Sequence, residues 1–200
     1  CLKGEPARPC MTVGRKFFQP CFSAGGSAGG SAAGGKDGHL YLIDRDARRI
    51  AAKVPVTTIE NPTAIPTVEG VRACPGVYGG VAWNGPALDP TSRTLFVGAV
   101  DQCQLYTKHA GNPKDPTAVF GTMAFNSTDP RDEIHGWVTA VDATTGRVKW
   151  RYRATGPVMA GVTATAGGLV LTGDTYGNFL ALDSAAGAVL HQYPVNGSMA

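Results

Sequence analysis

Short apolar runs bounded by glycine and aspartate recur along the whole chain. They are rich in Val, Leu, Phe and Tyr, and no long stretch places apolar residues at i, i+3, i+4 and i+7. Runs of this length between turn residues are typical of β-strands. The 27 glycines, 14 prolines and 16% charged residues favour many turns over long helices. The sequence therefore predicts an all-β protein.

Three of these runs share one pattern, in which a glycine precedes a five-residue apolar strand and an aspartate follows it. The copies are residues 38–44, 136–142 and 177–183. The second and third copies begin 41 residues apart, which is typical of one four-stranded propeller blade. The first and second begin 98 residues apart, which predicts about two blades with insertions. We therefore expect a partial β-propeller with parts of about four blades over residues 36–200.

The most specific segment lies between Cys74 and Cys103 and contains the sequence Gly79-Gly80-Val-Ala-Trp83. It resembles the pyrroloquinoline quinone (PQQ) dehydrogenases, in which a Cys-to-Cys segment of this length enters the quinone-binding end of a propeller blade. The resemblance implies a Cys74–Cys103 disulfide, and hence an oxidising, periplasmic location. Two reduced, buried cysteines remain the alternative.

A second stretch, residues 163–177, is similar to the Thr-Ala-Gly-Gly segment of the same family, and the second repeat copy resembles its blade-docking motif. In that motif an aspartate bonds its own turn, a glycine shapes the turn, and a tryptophan packs between blades. We expect Trp150 to fill such a gap. The Asp, Gly and Trp positions hold Asp142, Gly146 and Trp150 in the second copy, Asp183, Gly187 and His191 in the third, and Asp44, Arg48 and Ala52 in the first.

The resemblance also implies which residues contact the cofactor. PQQ is a flat quinone with three carboxylates, so its site needs cationic donors and apolar faces. Arg45 would stabilise the charge that develops on the quinone oxygens, although a surface arginine paired with Asp44 or Asp46 is an equal alternative. Ala82 stands where the family commonly has asparagine, and Met159 where some members have tryptophan. The implied cofactor-binding set is Arg45, Gly79, Gly80, Ala82, Trp83 and Met159.

The family's catalytic aspartate has no counterpart here, because no acidic residue lies between Ala7 and Lys36. The family's calcium ligands belong to earlier blades. The resemblance implies a parent enzyme that uses PQQ and calcium, oxidises an alcohol or sugar, and passes electrons to a cytochrome or membrane quinone. We expect the chain alone to lack turnover. A non-catalytic propeller that serves as an interaction scaffold is the alternative.

The remaining features exclude some functions and leave the amino-terminal segment unassigned. The net charge of +3 is spread along the chain without a basic run, which argues against a nucleic-acid partner.

Residues 1–35 end in a Gly/Ser/Ala-rich stretch that offers little apolar surface to bury. We therefore expect residues 1–35 to be a disordered segment outside the propeller.

Overall fold

The computed structural model describes residues 21–24, 28–108 and 123–200. All the regular elements in these ranges are β-strands, which confirms the all-β class. The described ranges hold no helix with the length and apolar character needed to cross a membrane. The strands are β1 (Cys21–Ala24), β2 (Ala28–Gly34), β3 (His39–Asp44), β4 (Arg49–Pro55), β5 (Val71–Ala73), β6 (Ala87–Asp89), β7 (Thr94–Asp101), β8 (Gln104–Lys108), β9 (Met123–Thr128), β10 (His135–Asp142), β11 (Val148–Ala154), β12 (Thr163–Ala164), β13 (Leu169–Gly173), β14 (Asn178–Asp183) and β15 (Val189–Pro194).

Three of the four sheets in the described ranges are four-stranded blades. Their strand orders are β1-β2-β3-β4, β6-β7-β10-β11 and β12-β13-β14-β15, and we call them the first, second and third blades. The three repeat copies form β3, β10 and β14, each of which is the third strand of its blade. This equivalence confirms the predicted repeat and the partial propeller.

Alternating apolar residues pack the blades face to face. One core joins the first and second blades, and it includes Leu40 and Leu42 of β3 and Val97 of β7. A second core joins the second and third blades, and it includes Val138 of β10 and Leu180 of β14. Because successive residues of a strand point to opposite faces, the second blade contributes to both cores. All eight residues of β7 are accordingly buried.

The spacing between the first two repeats was interpreted as about two blades, and this interpretation is wrong. β3 and β10 lie in neighbouring blades that share one core. The additional residues between them include β5, β8 and β9, which form a separate three-stranded sheet. Sequence spacing alone does not distinguish an inserted sheet from an additional blade.

The prediction of disorder for residues 1–35 is wrong for the strands that the structure describes there. β2 pairs with β3 over residues 30–34, and β1 pairs with β2. Small side chains are suited to this position, because Ala32 is completely buried and a Cβ on Gly34 would lie 2.3 Å from Val81 Cγ1 of the adjoining segment. Low complexity here reflects tight packing. Residues 1–20 lie outside the described residues.

The docking motif forms as predicted where its tryptophan is present. Trp150 lies between the second and third blades, donates a 3.0 Å hydrogen bond from Nε1 to the Ser184 carbonyl oxygen, and covers Gly187. A Cβ on Gly187 would lie 2.5 Å from the indole ring. In the first copy Ala52 takes the tryptophan position, and its methyl group abuts Gly146 of the second blade. The same contact is therefore made by a much smaller side chain.

Candidate functional site

The Gly79–Gly80 turn lies at one end of the first and second blades. Gly80 forms an antiparallel bridge with Val100, near the end of β7, and adopts a φ of +78° that favours glycine. A Cβ on Gly80 would lie 2.5 Å from the carbonyl oxygen of Lys36. The turn therefore rests on the backbone of the β2–β3 connection.

Arg45 lies at the other end of the first blade. It follows Asp44, the last residue of β3, whereas Gly35 and Lys36 precede that strand. The six residues of β3 place roughly 20 Å of extended chain between the two ends. The structure therefore does not bring Arg45 together with Gly79 and Gly80, and the predicted convergence of these residues is not observed.

Lys36 is a cation at the same end of the first blade as the Gly79–Gly80 turn, which we call the glycine end, and it is absent from the predicted cofactor-binding set. The residue is exposed, and only partial burial of its ammonium group lowers the pKa. Its carbonyl oxygen is the atom closest to the position that a Cβ on Gly80 would take. One sequence feature could have identified Lys36 as a candidate, since it immediately precedes the Asp37-Gly38 turn that opens the first repeat.

The predicted residues Ala82, Trp83 and Met159 are brought together through Asn84. The amide nitrogen of Asn84 donates to the carbonyl oxygens of Val158 and Ala160, at 3.2 and 3.3 Å. These two carbonyls flank Met159, and Trp83 directly precedes Asn84. Two segments separated by about 75 positions are thus held side by side.

Trp83 faces outward at this site. Its side chain is 66% exposed, although Asn84 beside it is buried. Ala82 and Met159 are partly exposed. An exposed indole offers a large apolar face to a planar ligand. The residues 79–86 lead into β6, the first strand of the second blade, and 157–162 lead into β12, the first strand of the third.

Asp101 is a buried carboxylate that connects the first and second blades at the glycine end. It accepts hydrogen bonds from Trp137 Nε1 at 2.6 Å, from Thr58 Oγ1 at 3.0 Å and from the Thr58 backbone amide at 3.3 Å. His135 Nε2 lies 3.4 Å from the same carboxylate. Burial opposes ionisation and acts to raise the pKa of Asp101, but the donated hydrogen bonds, including one from Thr57, outweigh it and the pKa is lowered.

Because the pKa of Asp101 is lower in the folded protein, its ionisation stabilises the fold above the ordinary carboxyl pKa of about 4, and this contribution is lost as the pH falls below it. We expect Asp101→Asn to reduce the free energy of unfolding near neutral pH by about 1–3 kcal/mol. Below about pH 4 the difference from the wild type should shrink. Urea unfolding over a series of pH values measures both effects. The control is Asp132→Asn, at an exposed position; equal pH profiles for the two variants would contradict the role of Asp101.

Cys74 and Cys103 form a disulfide, as the resemblance implied. Glu60 lies beside it, and Arg72 forms ion pairs with both Glu60 and Asp129. Glu60 and the two cysteines are close enough together to suggest a metal site. Since both sulfurs are bonded to each other, they are not thiolate ligands, and this cluster among the described residues is a structural one.

The comparisons with known proteins agree with the fold and the repeat. Residues 114–200 match the family model PQQ_2, described as outer membrane protein assembly factor BamB. The chain is 27% identical to the quinoprotein alcohol dehydrogenase PedE of Pseudomonas putida, over 79% of this chain and 28% of that protein. It is 31% identical to a quinoprotein ethanol dehydrogenase of Pseudomonas aeruginosa, over 62% of this chain and 20% of that protein.

Solved structures show the same architecture. The quinohemoprotein alcohol dehydrogenase of Comamonas testosteroni superposes with a TM-score of 0.69 at 18% identity, over 90% of this chain and 30% of that one. A europium-containing methanol dehydrogenase superposes with a TM-score of 0.65 at 21% identity, over 96% of this chain and 34% of that one. The chain thus spans about a third or less of these relatives. It is similar in sequence to quinoprotein alcohol dehydrogenases and has the β-propeller fold of these solved structures.

Proposed function

We propose that this chain contributes part of the quinone site of a PQQ-dependent dehydrogenase that oxidises an alcohol or sugar. The observation that carries the proposal is the arrangement at the blade ends. Gly80 rests on the Lys36 backbone, and Asn84 holds the Trp83 segment against the Met159 segment. Residues from three blades thereby contribute to one region, as a site for a large planar cofactor requires.

The residues present fit the chemistry of PQQ. The exposed indole of Trp83 offers an apolar face, and Lys36 offers a cation that can bind a carboxylate or a quinone oxygen. Ala82 has no polar side-chain group, so only its backbone can donate or accept a hydrogen bond with the cofactor. Met159 can cover a ring edge with its thioether. When bound, PQQ would supply the acceptor for the hydride that leaves the alcohol carbon.

The other parts of the reaction are proposed to come from the remainder of such an enzyme. We assign the general base and the calcium ligands to the rest of that enzyme, because this chain spans only 28% of the length of PedE. We propose a cytochrome or membrane quinone as electron acceptor; one relative, a lupanine 17-hydroxylase, is named with cytochrome c. The Cys74–Cys103 disulfide supports a periplasmic location.

The decisive test compares two cations in the full-length protein. Lys36→Met should weaken PQQ binding about tenfold or more, because it removes a charge-assisted hydrogen bond, and it should also lower the rate of alcohol oxidation. Arg45→Met is the matched control. It should leave both values unchanged, because β3 separates Arg45 from the glycine end. Equilibrium dialysis with PQQ and a dye-reduction assay provide the measurements.

Two results would count against this assignment. An effect of Arg45→Met as large as that of Lys36→Met would show that the quinone lies elsewhere. Failure of the wild-type protein to bind PQQ would favour the second candidate, a non-catalytic propeller that acts as an interaction scaffold. That candidate is supported by the match of residues 114–200 to a model described as an assembly factor.

A further inference from the structure

Asn84 connects the second and third blades through one buried amide group. Its nitrogen Nδ2 lies 3.3 Å from the carbonyl oxygen of Gly98 in β7. It also lies 3.2 Å from that of Val158 and 3.3 Å from that of Ala160, both ahead of β12. The residue itself is 9% exposed. A single side chain thus donates to backbone groups of two blades.

The surrounding carbonyls fix the orientation of this amide. Three acceptors surround Nδ2, and an oxygen in that position would be repelled by all of them. Oδ1 is consequently buried without a hydrogen-bond partner among the described residues. Burying an unpaired acceptor is unfavourable, and an apolar side chain chosen for packing alone would avoid it. The amide therefore costs free energy at Oδ1, while its nitrogen fixes the position of the surrounding backbone.

Space for the amide is provided by Gly98. A Cβ at that position would lie 2.8 Å from Asn84 Nδ2 and 2.6 Å from Val158 Cγ1. Both distances are shorter than ordinary contacts between heavy atoms, so a side chain on Gly98 would displace one of the two groups. The centre of β7 is thus adapted to hold Asn84 and the Val158 segment at close range.

We propose that Asn84 is a positioning residue of the quinone site, and this inference rests on the proposed function. Asn84 points into the blade interface while Trp83, the preceding residue, is exposed. By fixing Val158 and Ala160, the amide sets the separation between Trp83 and Met159. The width of the gap available to a flat ligand therefore depends on a residue that need not touch the ligand.

The test uses the full-length protein and PQQ itself. Asn84→Asp keeps the shape of the side chain but places an acceptor among three carbonyls. We expect it to weaken PQQ binding by about tenfold or more, with the affinity measured well below the melting temperature. Asn84→Ser, which keeps one donor, should recover part of the affinity. Thr172→Val is the control, because it removes a buried hydroxyl of the third blade that has no hydrogen-bond partner in the part of the chain that the structure describes, and it should leave the affinity unchanged.

A double-mutant cycle separates positioning from a general structural role. If Asn84 acts through Trp83, the effect of Asn84→Asp on PQQ affinity should be smaller in a Trp83→Ala background. Additive effects, or a lower melting temperature with unchanged affinity, would overturn the positioning role while leaving the proposed function intact. Absence of PQQ binding by the wild type would overturn both. The melting temperature of each variant is measured without PQQ, so that readout does not depend on catalysis.

Discussion

Replacing Trp150 with alanine should lower the free energy of unfolding by about 3–5 kcal/mol, the usual cost of removing a large aromatic side chain from a packed interface. The indole lies between the second and third blades, with its ring centroid 5.7 Å from that of Phe96. It also covers Gly187 and donates to the Ser184 carbonyl oxygen. The substitution would leave a cavity and an unpaired carbonyl group. Urea unfolding of the purified variant measures the loss.

Trp83→Ala is the matched control for this substitution, because it makes the same chemical change at an indole that is 66% exposed. It should cost under about 1 kcal/mol, as is usual for surface positions. Comparable losses in the two variants would mean that Trp150 does not join the blades. A His191→Ala variant probes the equivalent position of the third copy, whose side chain is exposed, and it should behave like Trp83→Ala.

The repeat was predictable because its determinants are local. In each copy the aspartate that ends the strand accepts hydrogen bonds from backbone amides of the following turn. Asp142 accepts from Thr144 and Thr145, and Asp183 accepts from Ala185 and Ala186. A turn of this kind is specified by residues within three positions of each other. Its sequence pattern therefore identifies the turn wherever it occurs.

The first strands of the first blade could not be predicted in the same way. Ala28–Gly34 has no apolar alternation, and its glycines and serine are typical of a linker. It is a strand because β3 supplies a partner and because Val81 approaches Gly34 too closely for a side chain. Both causes lie outside the segment, so the sequence of the segment alone does not predict a strand.

The sequence could not show that Arg45 lies away from the Gly79–Gly80 turn, because the direction of β3 relative to that turn was unknown. Residue type and proximity to a repeat strand favoured it equally with Lys36, since the two residues flank β3. Only the pairing of Gly80 with Val100, and the contact of Gly80 with Lys36, shows which end of β3 faces the glycine turn. Asn84 was missed because its partners, Val158 and Ala160, are distant in sequence.

The disulfide should have the second large effect. Cys74→Ser combined with Cys103→Ser should lower the free energy of unfolding by about 3–4 kcal/mol, because the bond closes a loop of about 30 residues in the unfolded chain. The double substitution is used because a single one would leave a free thiol. The closed loop contains Gly79, Gly80 and Trp83 together with Asn84. The loss is measured by urea unfolding of the oxidised wild type and the double variant.

Chemical reduction of the Cys74–Cys103 bond is the control for the double variant, and it also tests whether the disulfide supports the proposed quinone site. A reductant applied during unfolding should reduce the wild-type stability to about that of the double variant, and should leave the variant itself unchanged. Because the loop connects the Gly79–Gly80 turn to β7, we also expect PQQ affinity in the full-length protein to fall on reduction. If the double variant were as stable as the oxidised wild type, the disulfide would not contribute to the stability of the fold. In that case Arg72, which pairs with Glu60 and Asp129 around the two sulfurs, would be sufficient to hold this loop in place.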